Sequence, residues 1–311
     1  MRGKLKRLVA MCMVLLLLGS TLGESIAMAM TKENTVVQSD VCTIQPKHRK
    51  AYEGELGSAT ELKGRTVIVS IYANDKTCSW NVDKKKDLYR IARSKKYLGI
   101  AVKWLEKQCK KWGTSAKFIY DWEKEEDLLH IASLKSVRAA SNNYKVYTKT
   151  CKYLDREIDS EQIMKDHDAD NIIYIFFYNT PLKNTVTSYT YNYWKDSRYP
   201  YEFCNILTGC DGEEEAPAAY AHEILHTFGA PDLYYADTDG YNYGIMQKYV
   251  DHLERTFSND IMFTTFGARN NKTYYTKITN KLTELDAYYV GLTKSSKVQK
   301  KWGFEKSEHG K

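Results

Sequence analysis

Two histidines four residues apart, with a glutamate beside the first, are the residues of this chain best suited to chemistry. They lie in Ala221-His222-Glu223-Ile224-Leu225-His226-Thr227-Phe228-Gly229-Ala230-Pro231-Asp232. On a helix, side chains at i and i+4 share one face, so the imidazoles of His222 and His226 can reach one metal ion. Glu223 falls about 100° around the helix from His222. It does not join the ligand edge, but it can reach a water beside the ion, where hydrolysis needs a general base.

The flanking residues suit a helix with a core side and a chemistry side. At about 100° per residue, Ala218, Ala221, Ile224, Leu225 and Phe228 fall in one arc of roughly 120°, facing away from the histidines. Pro217 fits the first turn, and the acidic run Glu213–Glu215 fits the positive N-terminal end. Gly229 fits the left-handed residue that stops a helix. Asp232, just past that turn, is then placed to supply a third ligand. Histidines of a plain surface or core helix would need neither this stop signal nor this polarity.

The elements around this helix are a mixture of strands and helices. Thr66–Ala73, Lys117–Trp122 and Asn171–Asn179 read as strands, rich in β-branched and aromatic residues. Tyr201–Leu207 is a further strand candidate, with a Tyr-rich segment before it. From Asp87 to Lys111 apolar residues recur at helical spacing, so a long amphipathic helix is expected to cover the sheet. Leu282–Leu292 reads as a helix, and residues 294–311 as a Lys-rich, solvated tail. Residues 30–62 are polar and weakly patterned, a leader or linker and a prosegment candidate.

At the N-terminus, Arg2, Lys4, Lys6 and Arg7 precede an apolar run from Leu8 to Leu18 and an Ala27-Met28-Ala29 site. The run is short of the roughly 20 residues of a membrane span. Residues 1–29 are therefore read as a cleaved secretory signal, giving a secreted protein with no stable membrane insertion afterwards. Cys12 leaves with the signal, and six cysteines remain in an oxidising compartment. Disulfides are expected among them, with Cys204–Cys210 as the one pair singled out. A formal charge of +7 spread over 311 residues gives no basic patch for nucleic acid. With 43% hydrophobic and 27% charged residues and only 5 Pro, the chain is neither disordered, collagen-like nor a multi-pass membrane protein.

The pattern His222-Glu223-x-x-His226-x-x-Gly229-x-x-Asp232 resembles the extended zinc motif of metzincin-type metallopeptidases. Most of these carry a third histidine at the last position. The aspartate form is similar to that of immune-inhibitor-A-like and snapalysin-like bacterial enzymes, and Gly-Ala-Pro-Asp-Leu-Tyr is particularly similar to the former. The motif covers eleven residues, and the strand, edge-like segment and helix come in that family's order. The resemblance implies an α+β, zincin/metzincin-like fold: a mixed twisted sheet with covering helices, the active-site helix and a small C-terminal subdomain, with the peptidase domain over 63–293. It implies Zn2+ on His222, His226 and Asp232, Glu223 as general base, and protein or peptide substrates. It also implies a Met-turn beneath the metal. Met262 is preferred, because Ser258-Asn259-Asp260 reads as a tight turn, and Met246 is the alternative.

Other features are less specific. The tyrosines Tyr189, Tyr191, Tyr193, Tyr199 and Tyr201, with Trp194, form either a substrate-binding rim or ordinary strand packing. Tyr234, Tyr235 and Tyr249 are candidates to stabilise an oxyanion. Asp237-Thr238-Asp239-Gly240 reads as a solvated turn rather than a calcium loop. His130, His167 and His252 read as structural, Glu254 as a poor alternative zinc ligand, and Cys42 as a disulfide partner before a latency plug. The competing readings of the whole chain are a peptide- or glycan-binding protein on the same scaffold and a hydrolase of non-peptide amides.

Overall fold

The computed structural model describes residues 58–191, 201–234, 244–267, 272–307 and 309. The expectations for the signal segment, Cys42, Tyr193, Trp194, Tyr199, Tyr235 and Asp237–Gly240 lie outside these residues. Among the described residues no helix is long and apolar enough to cross a membrane.

The chain folds as a mixed α/β structure around a mostly parallel sheet with seven α-helices among the described residues. The central strand β1 (Gly64–Asp75) is apolar without interruption from Val67 to Val69 and again from Ile71 to Ala73, all fully buried. A strand covered on both faces reads this way. Its neighbour β4 (Asn171–Tyr178) is buried along its whole length and pairs with β1 in parallel from Thr66↔Asn171 to Ala73↔Tyr178. The other edge of β1 is shared. β2 (Ala116–Ile119) takes its first half and β3 (Leu129–Leu134) its second, both parallel. Beyond β4 comes β6 (Phe203–Leu207), parallel, and then β5 (Tyr189–Tyr191), the antiparallel strand that ends the sheet. A short hairpin, β7 (Gly209–Cys210) and β8 (Glu213–Glu214), follows β6.

Helices cover both faces. On one lie α1 (Lys85–Lys111) and α4 (Pro217–Thr227); on the other lie α2 (Tyr144–Glu157) and α3 (Ser160–Asp166). The alternation of β4 shows the division. Phe177 stacks on Tyr72 and meets Tyr220 of α4, while Phe176 meets Tyr153 of α2. Tyr220 in turn packs edge-to-face on Tyr97 of α1. The three short helices α5 (Gln247–Arg255), α6 (Glu284–Tyr289) and α7 (Lys297–Trp302) come after the motif helix.

Several expectations need adjusting. Lys117–Trp122 is extended only to Ile119, because Trp122 folds back into a turn against Tyr120. The helix expected over Leu282–Leu292 is shorter, starting at the Thr283–Asp286 capping box. The Lys-rich segment after 293 is not a solvated tail. Ser296 caps α7, Gly303 ends it at φ +70°, and Trp302 and Phe304 pack on Tyr249. Ser58, Ala59 and Leu62, from the expected leader, are buried, and the Leu62 amide donates to the Val290 carbonyl. The expected Cys204–Cys210 bridge is not formed; the five described cysteines are free. Cys204 points from β6 into the core toward α4, whereas Cys210 lies in the hairpin. Extended chain rising about 3.3 Å per residue carries the pair apart.

Phe177 joins β1, β4 and the motif helix, with no exposed surface. Phe177→Ala is expected to cost about 3–5 kcal/mol of stability, measured by denaturant unfolding. A loss below about 1 kcal/mol would mean that this contact is not central to the core.

Candidate metal centre

α4 presents the motif as its spacing demands. Pro217 occupies the first turn, and the helix closes with two backbone bonds of a Schellman stop: Gly229 N–H to the His226 carbonyl and Ala230 N–H to the Leu225 carbonyl. Gly229 has φ +94°, a conformation that costs glycine little. The stop turns the chain so that Asp232 comes back beside the histidines. The acidic run before the helix has other partners: Arg93 pairs with Glu214, and half-buried Glu215 accepts from the Ser188 hydroxyl.

Three ligand atoms converge. His222 Nε2 and His226 Nε2 are 3.1 Å apart, and each is 3.2 Å from Asp232 Oδ1. The far nitrogens set the protonation. His222 Nδ1 lies 3.0 Å from the Ile261 carbonyl oxygen and His226 Nδ1 lies 2.8 Å from the Ala230 carbonyl oxygen. A carbonyl only accepts, so both Nδ1 atoms carry hydrogen, and in neutral rings both Nε2 atoms are lone pairs. Such a cluster can hold a metal ion, or a proton on His222 shared with Asp232. Ligands about 2.0–2.1 Å from a tetrahedral ion stand roughly 3.3 Å apart, which this triangle fits. Two imidazoles and a carboxylate also make a donor set suited to zinc.

The electrostatics agree. Burial opposes charge on His222, but hydrogen bonding and attraction from Asp232, with smaller help from Glu223 and Ile261, raise it to about 9. Burial alone would raise Asp232. The two histidines outweigh it and hold this carboxyl far below its ordinary range. The triangle therefore favours positive charge at its centre.

Glu223 leaves the same helix on a different bearing and is 4% exposed. Its Oε2 accepts from the Thr190 hydroxyl at 2.7 Å. Burial raises its pKa, opposed by the nearby histidines and by Thr190. Below the histidines runs the segment Asp260–Met262. Ile261 supplies the carbonyl for His222, Met262 is fully buried, and its carbonyl accepts from the Leu233 amide. Met246 sits instead at the N-cap of α5. Tyr234 stacks its ring 6.1 Å from that of His222 and is 43% exposed. Tyr249 is buried against Trp302 and Phe304, and Glu254 is exposed on α5.

Of the tyrosines before the helix, the described Tyr189, Tyr191 and Tyr201 do not line this centre. Tyr189 and Tyr191 donate to the Ala139 and Asn143 carbonyls on the other face of β5, and buried Tyr201 reaches Asp155. Of the isolated histidines, His167 pairs with Asp127 at 2.8 Å, and His130 meets the Asp127 carbonyl. Thr190 was not singled out by the sequence, although the alternation Tyr189-Thr190-Tyr191 already places it opposite the tyrosines. The Ile261 and Ala230 carbonyls carry no side-chain signal. Comparison with protein-family models, with curated proteins and with solved structures gives no match in any of the three.

Beneath the centre, two carboxyls share a buried contact. Asp260 Oδ1 accepts the Met262 amide, Asp286 Oδ2 accepts the Thr283 amide, and the two carboxyls interact with each other, with the Thr283 hydroxyl beside them. Burial raises Asp260 to about 6 despite its hydrogen bonds. Burial and then the charge of Asp260 raise Asp286 well above its ordinary value. A folded state that holds the neutral form has this stabilisation in full below about pH 4. It loses it as pH rises through about 6. In chelator, the melting temperature is expected to fall between pH 5 and pH 8, and to fall less in Asp286→Asn, whose amide donates permanently. Equal falls in the two proteins would show that no proton is shared.

Proposed function

We propose that this chain is a secreted zinc-dependent endopeptidase. The observation that carries the reading is the triangle of His222 Nε2, His226 Nε2 and Asp232 Oδ1, with the Glu223 carboxylate on the same buried helix. The resemblance of the motif to metzincin-type peptidases supports the same reading, with Met262 as the Met-turn methionine.

A zinc ion held by His222, His226 and Asp232 would supply Lewis acidity toward the scissile carbonyl and lower the pKa of a water. The chain's own residues do the rest. The Ile261 and Ala230 carbonyls keep both imidazoles in the tautomer that offers Nε2. Glu223 takes the proton of the attacking water and passes it to the leaving nitrogen. Of the described tyrosine candidates for the oxyanion, Tyr234 is the one whose ring stacks on His222. β5 ends the sheet beside Glu223, and among the described residues no strand pairs its outer edge. An extended peptide can bind there by adding a strand.

Glu223→Ala is expected to lower cleavage by at least about 100-fold while keeping zinc, and His222→Ala to lose the metal. Digestion of an unfolded protein mixture, with new termini identified by mass spectrometry, reads the first; metal analysis reads the second. A fully active Glu223→Ala protein would remove the general base from this account. Asp232→Ala should weaken zinc by more than the roughly 10- to 100-fold typical of an outer partner, and unchanged affinity would take Asp232 out of the ligand set.

A further inference from the structure

The carboxylate read here as the general base is held from outside its own helix. The Thr190 hydroxyl lies 2.7 Å from Glu223 Oε2 and 3.1 Å from the Glu223 carbonyl oxygen, and the shorter contact is to the carboxylate. Thr190 stands on β5, and its neighbours fix where it points. Tyr189 and Tyr191 anchor the strand through their phenols on the opposite face, to Ala139 and Asn143. Thr190 pairs across the ladder with Cys204, whose thiol also reaches the Glu223 carbonyl, at 3.4 Å. The strand is thus pinned from one side so that a single hydroxyl is delivered to the other.

A glutamate side chain has several rotatable bonds, and a general base must lie within hydrogen-bond reach of the proton it takes. A donor on Oε2 fixes the plane of the carboxylate and leaves Oε1 for the reacting water. Among the described residues, Thr190 is the side-chain donor to this carboxylate. We infer that Thr190 is the positioning residue for the general base, coupling the edge strand β5 to the catalytic geometry of α4. The inference rests on the reading of Glu223 as that base. A merely structural threonine would stabilise the β5–α4 contact and leave turnover and the carboxylate's place unchanged.

The test compares the zinc-loaded wild-type chain with Thr190→Val, which keeps the β-branched shape without the donor, and with Thr190→Ser, which keeps the donor. The substrate is a peptide that the wild type cuts. In Thr190→Val, kcat is expected to fall roughly 10- to 100-fold, the loss typical of one hydrogen bond to a charged group. KM should stay within about twofold and zinc content should not change. Thr190→Ser should recover most of the rate. Crystal structures supply the second readout, with the Glu223 carboxylate displaced in Thr190→Val and restored in Thr190→Ser. An unchanged kcat, a change confined to KM, or a carboxylate that stays in place without the hydroxyl would each overturn the inference. Should the wild type cut nothing, the peptidase reading falls, and the crystal structures still decide whether Thr190 positions Glu223.

Discussion

Three groups able to bind a metal meet beside α4, and the architecture around that helix brings them together. His222 and His226 come together through helical spacing, and the Schellman stop at Gly229 returns Asp232 to them. Each imidazole is held through Nδ1 by a main-chain carbonyl that can only accept, so each ring turns Nε2 toward Asp232. A proton on His222 or a metal ion can occupy the meeting point. The surrounding core holds these three groups firmly in place.

That firmness comes from the sheet and from the segment below the helix. Phe177 and Tyr220 tie α4 to the two central strands, while Asp260–Met262 supports His222 from underneath. The carboxyl pair Asp260–Asp286 links this support to α6, and the buried Tyr249 packs α5 against α7 nearby. The residues after the motif are therefore part of the foundation of the site. On the other side, β5 brings Thr190 to Glu223, so the proposed base is held by the sheet as well as by its helix.

What was legible in the sequence was local. The histidine pair needs only an i, i+4 spacing, the helix stop needs one glycine, and buried strands such as β1 and β4 announce themselves by apolar runs. Asp232 was legible because it follows that stop within three residues. The supports were not legible, because they come from far along the chain and often from the backbone. The Ile261 carbonyl is 39 positions from His222, and Thr190 is 33 from Glu223. α7 was hidden by composition: its lysines face outward, while one cap serine and two aromatic residues do the packing. The tyrosines suggested a binding rim by their number. The phenols of Tyr189 and Tyr191 instead anchor β5 from behind. The Cys204–Cys210 pair is not formed, since nearness in sequence along extended chain is distance in space.

The most direct measurement is the zinc X-ray absorption spectrum of the metal-loaded chain. It reports the atoms touching the ion without depending on any substrate. The account predicts a first shell of nitrogen and oxygen only, at about 2.0–2.1 Å, with outer-shell scattering from two imidazoles. Sulfur in that shell at about 2.3 Å, or a spectrum without imidazole scattering, would contradict the assignment of His222, His226 and Asp232 as the metal ligands.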